Sequence, residues 1–230
     1  MNASMTCHTH AHQAVTPVNL EPIRFDSTAL VQTMNIVRSW TNGLPVFTNQ
    51  RMLLRELVKT DAATLLSVLR TEEVARFISP PPTTPAGFEK FIQWAISERH
   101  AGRQMMFGMV PEGHDQAVGL VQVRATAPDF SVAEWGFAVG SPFWGTGLFL
   151  ASARTTIDFA FRHTGVNRLE ARAAVANGRG NGALRKLGAV REMVLRGSFL
   201  KDGRYLDQNL WSIVANDWYQ LNPASICAIH

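Results

Sequence analysis

Cysteine is nearly absent: Cys7 and Cys227 are the only two, at opposite ends of 230 residues. Such a pair gives no disulfide framework and no metal-ligand spacing. Lysine is scarce too, at Lys59, Lys90, Lys186 and Lys201, so arginine supplies most of the basic charge. The net charge of +4 and isoelectric point of about 9.5 are mildly basic. No dense basic run accompanies them, which argues against a nucleic-acid partner. No apolar run approaches the ~20 residues of a membrane span, and the first residues lack the basic and apolar regions of a signal peptide. A cytoplasmic chain with no membrane contact is the expectation.

Hydrophobic residues make up 46% of the chain, enough for a substantial core. The length fits one domain with an extension. Residues 1–45 read as an N-terminal extension, partly disordered, residues 46–220 as the main domain and residues 221–230 as a tail. Cys7, His8, His10 and His12 match no closed metal site, and no metal is expected. Between Ile23 and Trp40, Leu30, Val31, Met34, Ile36 and Val37 suit a short amphipathic piece packing on the main domain.

From Val46 the chain alternates legible segments. Met52 to Leu57 reads as a strand and Asp61 to Leu69 as a helix, with a second helical piece through Val74 and Phe77. Pro80, Pro81 and Pro82 stop any helix. Thr84 is an N-cap with Pro85 at the first helical position, and that helix ends near Gly102. Gln104 to Val110 and Ala117 to Ala125 form a hairpin. Later, Arg168 to Val175 alternates as a strand, Asn177 to Gly182 reads as a loop, and Ala183 to Leu187 as a short helix capped by Gly188. Asp202-Gly203 joins two last strands.

The chain is organised around Glu134 to Leu150. A strand with Trp135, Phe137 and Val139 breaks at Gly140-Ser141-Pro142; Gly145-Thr146-Gly147 follows, and from Leu148 the apolar period is helical. Leu150, Ala153, Ile157, Ala160 and Phe161 share one face of that helix, and Arg154, Asp158 and Arg162 the other. The first amides of a helix lack internal partners and sit at the positive end of its dipole. Glycines let such amides close on a phosphate, although a strand–glycine–helix turn can equally be a tight connection. A P-loop is excluded because no lysine follows the glycines, and a dinucleotide fingerprint because Leu150 occupies the place of its third glycine.

Taken together, these features resemble the GNAT superfamily of N-acetyltransferases, over about Val46 to Trp218. The branch of ribosomal-protein N-terminal acetyltransferases (RimJ/RimL-like) is the most similar. It shares the opening strand with Leu44, Pro45, Arg51, Leu53, Leu54 and Arg55, the prolines Pro80 to Pro82, and the loop Trp144 to Gly147. It also shares Asn177 followed by Lys186-Leu187-Gly188. The resemblance implies an α/β (α+β) fold: a mixed, mostly antiparallel sheet of about seven strands flanked by helices and splayed at a cofactor cleft. It implies an acetyl-coenzyme A–dependent N-acetyltransferase acting by direct transfer, without metal, on a primary amine of a protein or peptide N-terminus or a small molecule. The protein would be a monomer or homodimer.

The same resemblance assigns roles. The amides of Trp144, Gly145, Thr146, Gly147 and Leu148 would hold the pyrophosphate, and the edge at Phe137, Ala138 and Val139 the pantetheine arm. A bulge in the focal strand, eased by Gly136 or Gly140, would open that edge. The amide of Val139 would face the thioester oxygen. Asn177 would contact the cofactor arm, with a plain turn residue as the alternative. Glu134 would be the general base, with a structural carboxylate as the alternative. Departures also stand out. Pro142 occupies the place of an arginine or glutamine that opens the loop, which leaves phosphate binding to backbone amides. Leu184 occupies the place of a tyrosine acid, leaving Tyr205 and Ser141 as weak candidates. A silent acyl-coenzyme A–binding module is the reading from another class. Pro80 to Pro82 and a short Asp202-Gly203 hairpin would flank an open acceptor groove, which tilts the acceptor toward a peptide.

Overall fold

The computed structural model describes residues 39–223. The cysteine–histidine segment, nearly all of the piece expected from Ile23, and residues 224–230 lie outside them. Eight strands form one sheet: β1 (Phe47–Asn49), β2 (Met52–Glu56), β3 (Gln104–Pro111), β4 (Gly119–Ala125), β5 (Val132–Val139), β6 (Arg168–Ala174), β7 (Val190–Lys201) and β8 (Arg204–Val214). Their order is β1-β2-β3-β4-β5-β6-β8-β7. Every neighbouring pair is antiparallel except β5 with β6. This is the mixed α/β architecture the resemblance implied, with one strand more than expected. The addition is β1, too short to show a period. The Asn49 side chain closes its hairpin by accepting from the amides of Arg51 and Met52.

Six helices accompany the sheet among the described residues: α1 (Ala62–Leu69), α2 (Glu72–Ala75), α3 (Pro85–His100), α4 (Leu148–His163), α5 (Gly178–Lys186) and α6 (Ala215–Leu221). Two apolar clusters separate the faces of the sheet. One joins Leu65, Leu69, Phe88 and Ile92 of α1 and α3 to Met106, Val110 and Leu120. The other joins Ala153, Ile157 and Ala160 of α4 to Met105, Phe107, Val121, Trp135, Leu169 and Trp211, and it also holds Trp40 and Leu44. Alternate residues of β3 thus serve opposite cores, as the pleat requires.

Local chemistry sets the boundaries. Thr84 accepts from the amide of Gly87 and Pro85 opens α3, as the sequence reads. Gly165, at φ 79°, ends α4. Asp202 and Gly203 both take positive φ, as the primed turn of a two-residue hairpin demands. Two expectations are corrected. Asp158 is buried rather than outward, because it accepts from Arg162 and from Trp218 Nε1 of α6. And α5 begins at Gly178, inside the stretch read as a loop: Asn177 caps it by accepting from the amide of Gly180.

Candidate active site

The cleft originates where two strands part. β5 and β6 pair only from Val132↔Arg168 to Glu134↔Glu170, and then diverge. On its other side β5 pairs with β4 in unbroken register from Gly119↔Val139 to Ala125↔Ala133. The expected bulge is therefore absent; divergence from β6 opens the edge instead. Gly140 N donates to Val118 O on the β4 side. Alternation along an extended strand then turns the amides of Phe137 and Val139 away from β4, into the gap. Gly140 serves packing, not distortion: a Cβ there would stand 2.7 Å from Val68 of α1.

Beyond β5 a short 3-10 turn, Ser141–Phe143, leads to the glycine loop. Gly145 (φ 80°) and Gly147 (φ 88°) are left-handed, and Gly147 caps α4. Thr146 Oγ1 donates to Phe143 O at 2.9 Å and accepts from Leu148 N at 3.3 Å. Trp144 N is engaged by Ser141 O. In the first turn of α4 the amides of Phe149 and Leu150 have no carbonyl four residues back within the helix. The donors facing outward thus lie around Gly145 and Gly147 and continue into the helix, past Leu148, which is buried.

The opposite wall is the N-terminus of α5. Asn181 fixes it: its Nδ2 donates to Ala174 O and Asn177 O, and its Oδ1 accepts from Asn209 Nδ2 and Trp211 Nε1. A buried amide so fully used holds the loop to β6 and β8. Gly180 leaves room for the Asn177 side chain, whose Nδ2 would be 2.5 Å from a Cβ there.

These parts enclose a cavity of about 920 Å³. Of the residues expected at the cofactor, Phe137, Ala138, Val139, Trp144, Gly145, Gly147 and Asn177 line it together, with Phe149 and Leu150 in addition; Thr146 and Leu148 do not. Three cations line it, Arg76, Arg179 and Lys186, and a fourth, Arg51, reaches its glycine loop. Arg179 lines the cavity with its guanidinium over the Trp144 ring, 4.3 Å from the centroid. Arg51 reaches the loop from the β1–β2 turn, so that a Cβ on Gly147 would be 2.8 Å from its Nη1. Guanidinium groups thus flank the loop despite Pro142, beside the backbone amides on which the sequence reading relied. Arg179 was visible inside the asparagine motif, but no local signal links Arg51 to Gly147.

Glu134 sits at the last paired residue before the gap, on the α1 and α3 face of the sheet and outside the cavity lining. It accepts from Arg124 at 2.7 Å and faces Arg172 at 3.9 Å. Tyr205 is 72% exposed, and neither it nor Ser141 lines the cavity; Leu184 is buried in the core. On the side where the acceptor groove was expected, Glu73, Arg76, Phe77 and Ile78 form the wall. The groove expected to stay open there is bridged, because Lys201 Nζ donates to Ile78 O at 3.3 Å. No cluster of metal-ligating side chains occurs among the described residues, and no helix among them is long and apolar enough to cross a membrane.

Comparison with known proteins agrees with this geometry. Two Bacillus proteins, described as uncharacterized N-acetyltransferases, are similar along most of their length. The p20 protein of Bacillus licheniformis is 24% identical over 74% of this chain and 96% of its own. YoaA of Bacillus subtilis is 25% identical over 74% and 97%. Among solved structures, a ribosomal-protein-S5-alanine acetyltransferase from Vibrio fischeri superposes with a TM-score of 0.68 at 21% identity, covering 75% of this chain and 98% of that one. RimJ from Mycobacterium smegmatis, solved with a CoA-disulfide, gives 0.65 at 19% identity over 78% and 93%. A strand edge parted from its neighbour, a glycine turn opening a helix, and a match of residues 51–190 to the family model described as "Acetyltransferase (GNAT) domain" place this chain in the GNAT acetyltransferase family.

Proposed function

We propose that the protein transfers the acetyl group of acetyl-coenzyme A directly to a primary amine, with a protein or peptide N-terminus as the preferred acceptor. One observation carries the reading: the parted edge of β5 and the N-terminus of α4 open into the same cavity. That cavity matches a ligand with an amide-bearing arm at one end and phosphates at the other. Arm amides pair with the free edge at Phe137 and Val139, and phosphates with the glycine loop. When bound, the coenzyme supplies an acyl group activated as a thioester.

The chain's residues then do the following. The Val139 amide donates to the carbonyl oxygen as charge develops on it. Glu134 receives the proton of the incoming ammonium, directly or through one water, after loosening its pair with Arg124. Asn177 holds the arm from the α5 side. The structures of ribosomal-protein acetyltransferases that superpose on this chain support an N-terminal amine as acceptor. The bridge from Lys201 to Ile78 narrows the approach, which favours a slender chain end.

Leu184, buried where the resemblance puts a tyrosine acid in some family members, supports a second reading, a coenzyme-binding module without turnover. Thiol release from acetyl-coenzyme A, with N-terminal peptides and small amines as acceptors, separates the two. Release that depends on acceptor supports the enzyme, and Glu134→Gln is then expected to lower turnover by about 10²- to 10⁴-fold with coenzyme affinity unchanged. Tight coenzyme binding without release under any acceptor supports the module.

A further inference from the structure

Two guanidinium groups stand at the glycine loop, apart from Arg76, which lines the wall with Phe77 and Ile78. On the strands beside the cleft, by contrast, Arg124, Arg168 and Arg172 each face a carboxylate. Arg51 and Arg179 have no carboxylate partner among the described residues; Arg179 lines the cavity, and Arg51 lies against Gly147, which lines it. An unpaired charge there is stable because water solvates it, so it remains available to an incoming anion.

Arg179 is also held in place. Trp144 donates its indole N–H to Val139 O at 2.9 Å, which fixes the ring at the end of β5. The ring packs against both apolar clusters, at the point where the sheet parts. The Arg179 guanidinium carbon lies over this ring, 4.3 Å from its centroid. Stacking of that kind uses the π surface and leaves the in-plane N–H donors free. A planar fork kept at the rim loses little freedom on engaging a phosphate through two parallel bonds.

We propose that Arg179, shelved on Trp144, makes the cleft selective for the phosphorylated end of the coenzyme, with Arg51 closing on the same end from the β1–β2 turn. The inference rests on the coenzyme reading above and extends it. The two cations take over the place left by Pro142, and a thioester lacking phosphates forfeits their contribution.

The test is calorimetric affinity for coenzyme A, 3′-dephospho-coenzyme A and pantetheine, which carries no phosphate, on the full chain and on Arg179→Ala, Arg179→Lys and Arg51→Ala. For coenzyme A, Arg179→Ala is expected to weaken binding by about 10- to 100-fold. The salt dependence of binding should flatten with it, while the affinity for pantetheine stays within about twofold. Arg179→Lys keeps the charge but not the stacked fork, so it should recover only part of the loss. Arg179→Ala binding coenzyme A as the unaltered chain does overturns the proposal while leaving the coenzyme reading intact. An equal loss for pantetheine overturns it as well, since that shows a structural role. An unaltered chain that binds no coenzyme overturns both.

Discussion

Asp61 keeps a charge inside the protein because four donors converge on it. Arg55 Nη1 and Nη2 reach its two oxygens at 2.8 and 2.9 Å, and the amides of Val58 and Ala117 donate to it at 2.8 and 2.9 Å. Burial pushes its carboxyl up, yet the Arg55 fork and the two amides outweigh that and hold it below the ordinary carboxylate value. Removing the acceptor strands a guanidinium and two amides, so Asp61→Ala should cost about 3–5 kcal/mol in urea unfolding. The pH sign follows from the depression. The stabilisation is complete above the unfolded carboxyl value of about 3.9 and is lost as pH falls through the lower folded value. Accordingly, the stability gap between the unaltered chain and Asp61→Asn should hold from pH 7 to 5 and narrow below about 4; a gap constant to pH 2 would contradict this. At the glycine loop, Gly147 is left-handed and lies against Arg51. Gly147→Val should therefore abolish coenzyme binding while costing the fold about 1–2 kcal/mol, read by calorimetry beside thermal unfolding.

Elements were legible where a period or a turn residue spoke for them. The β3–β4 hairpin, the focal strand with its glycine loop, α4 and the Asp202-Gly203 hairpin all carry such marks in the sequence. β1 does not, because three residues show no period. The first half of α5 escaped for a different reason. Gly178, Gly180 and Gly182 lie within it, and each costs a helix about 1 kcal/mol relative to alanine. Tertiary structure overrides that cost through the Asn177 cap and the Asn181 network, neither of which a propensity scale contains. Those glycines are not equivalent. A Cβ on Gly182 meets open space, whereas one on Gly180 meets the Asn177 side chain. Gly182→Ala should therefore raise stability by about 0.5–1 kcal/mol. Gly180→Ser should displace Asn177 from its cap and lower stability and coenzyme affinity together. Equal effects of the two substitutions in thermal unfolding would show that the cap does not order this helix.

At the scale of the whole molecule the cleft divides the sheet. β1 to β5 carry helices on both faces, while β6 to β8 join them through the short parallel register from Val132 to Glu134 and through a shared core. Arg124, Glu134 and Arg172 brace that junction across three strands. The sequence announced the strands on either side, but not where their pairing ends, because register is set by packing of distant segments. For the same reason Arg51 and Gly147 could not be connected in advance. A ligand in such a cleft touches β5, the head of α4 and the head of α5 at once, and this surface exists only in the folded state. Binding therefore adds its free energy to folding by mass action: about 2.7 kcal/mol at a coenzyme concentration 100 times Kd. For a chain of this size that corresponds to a rise in Tm of roughly 5–10 °C. Coenzyme A should produce this rise in the unaltered chain and none in Gly147→Val, whose own Tm starts roughly 2–8 °C lower. Absence of the rise at saturating coenzyme would remove the coenzyme from this cleft; a rise retained in Gly147→Val would move its phosphates away from the α4 terminus.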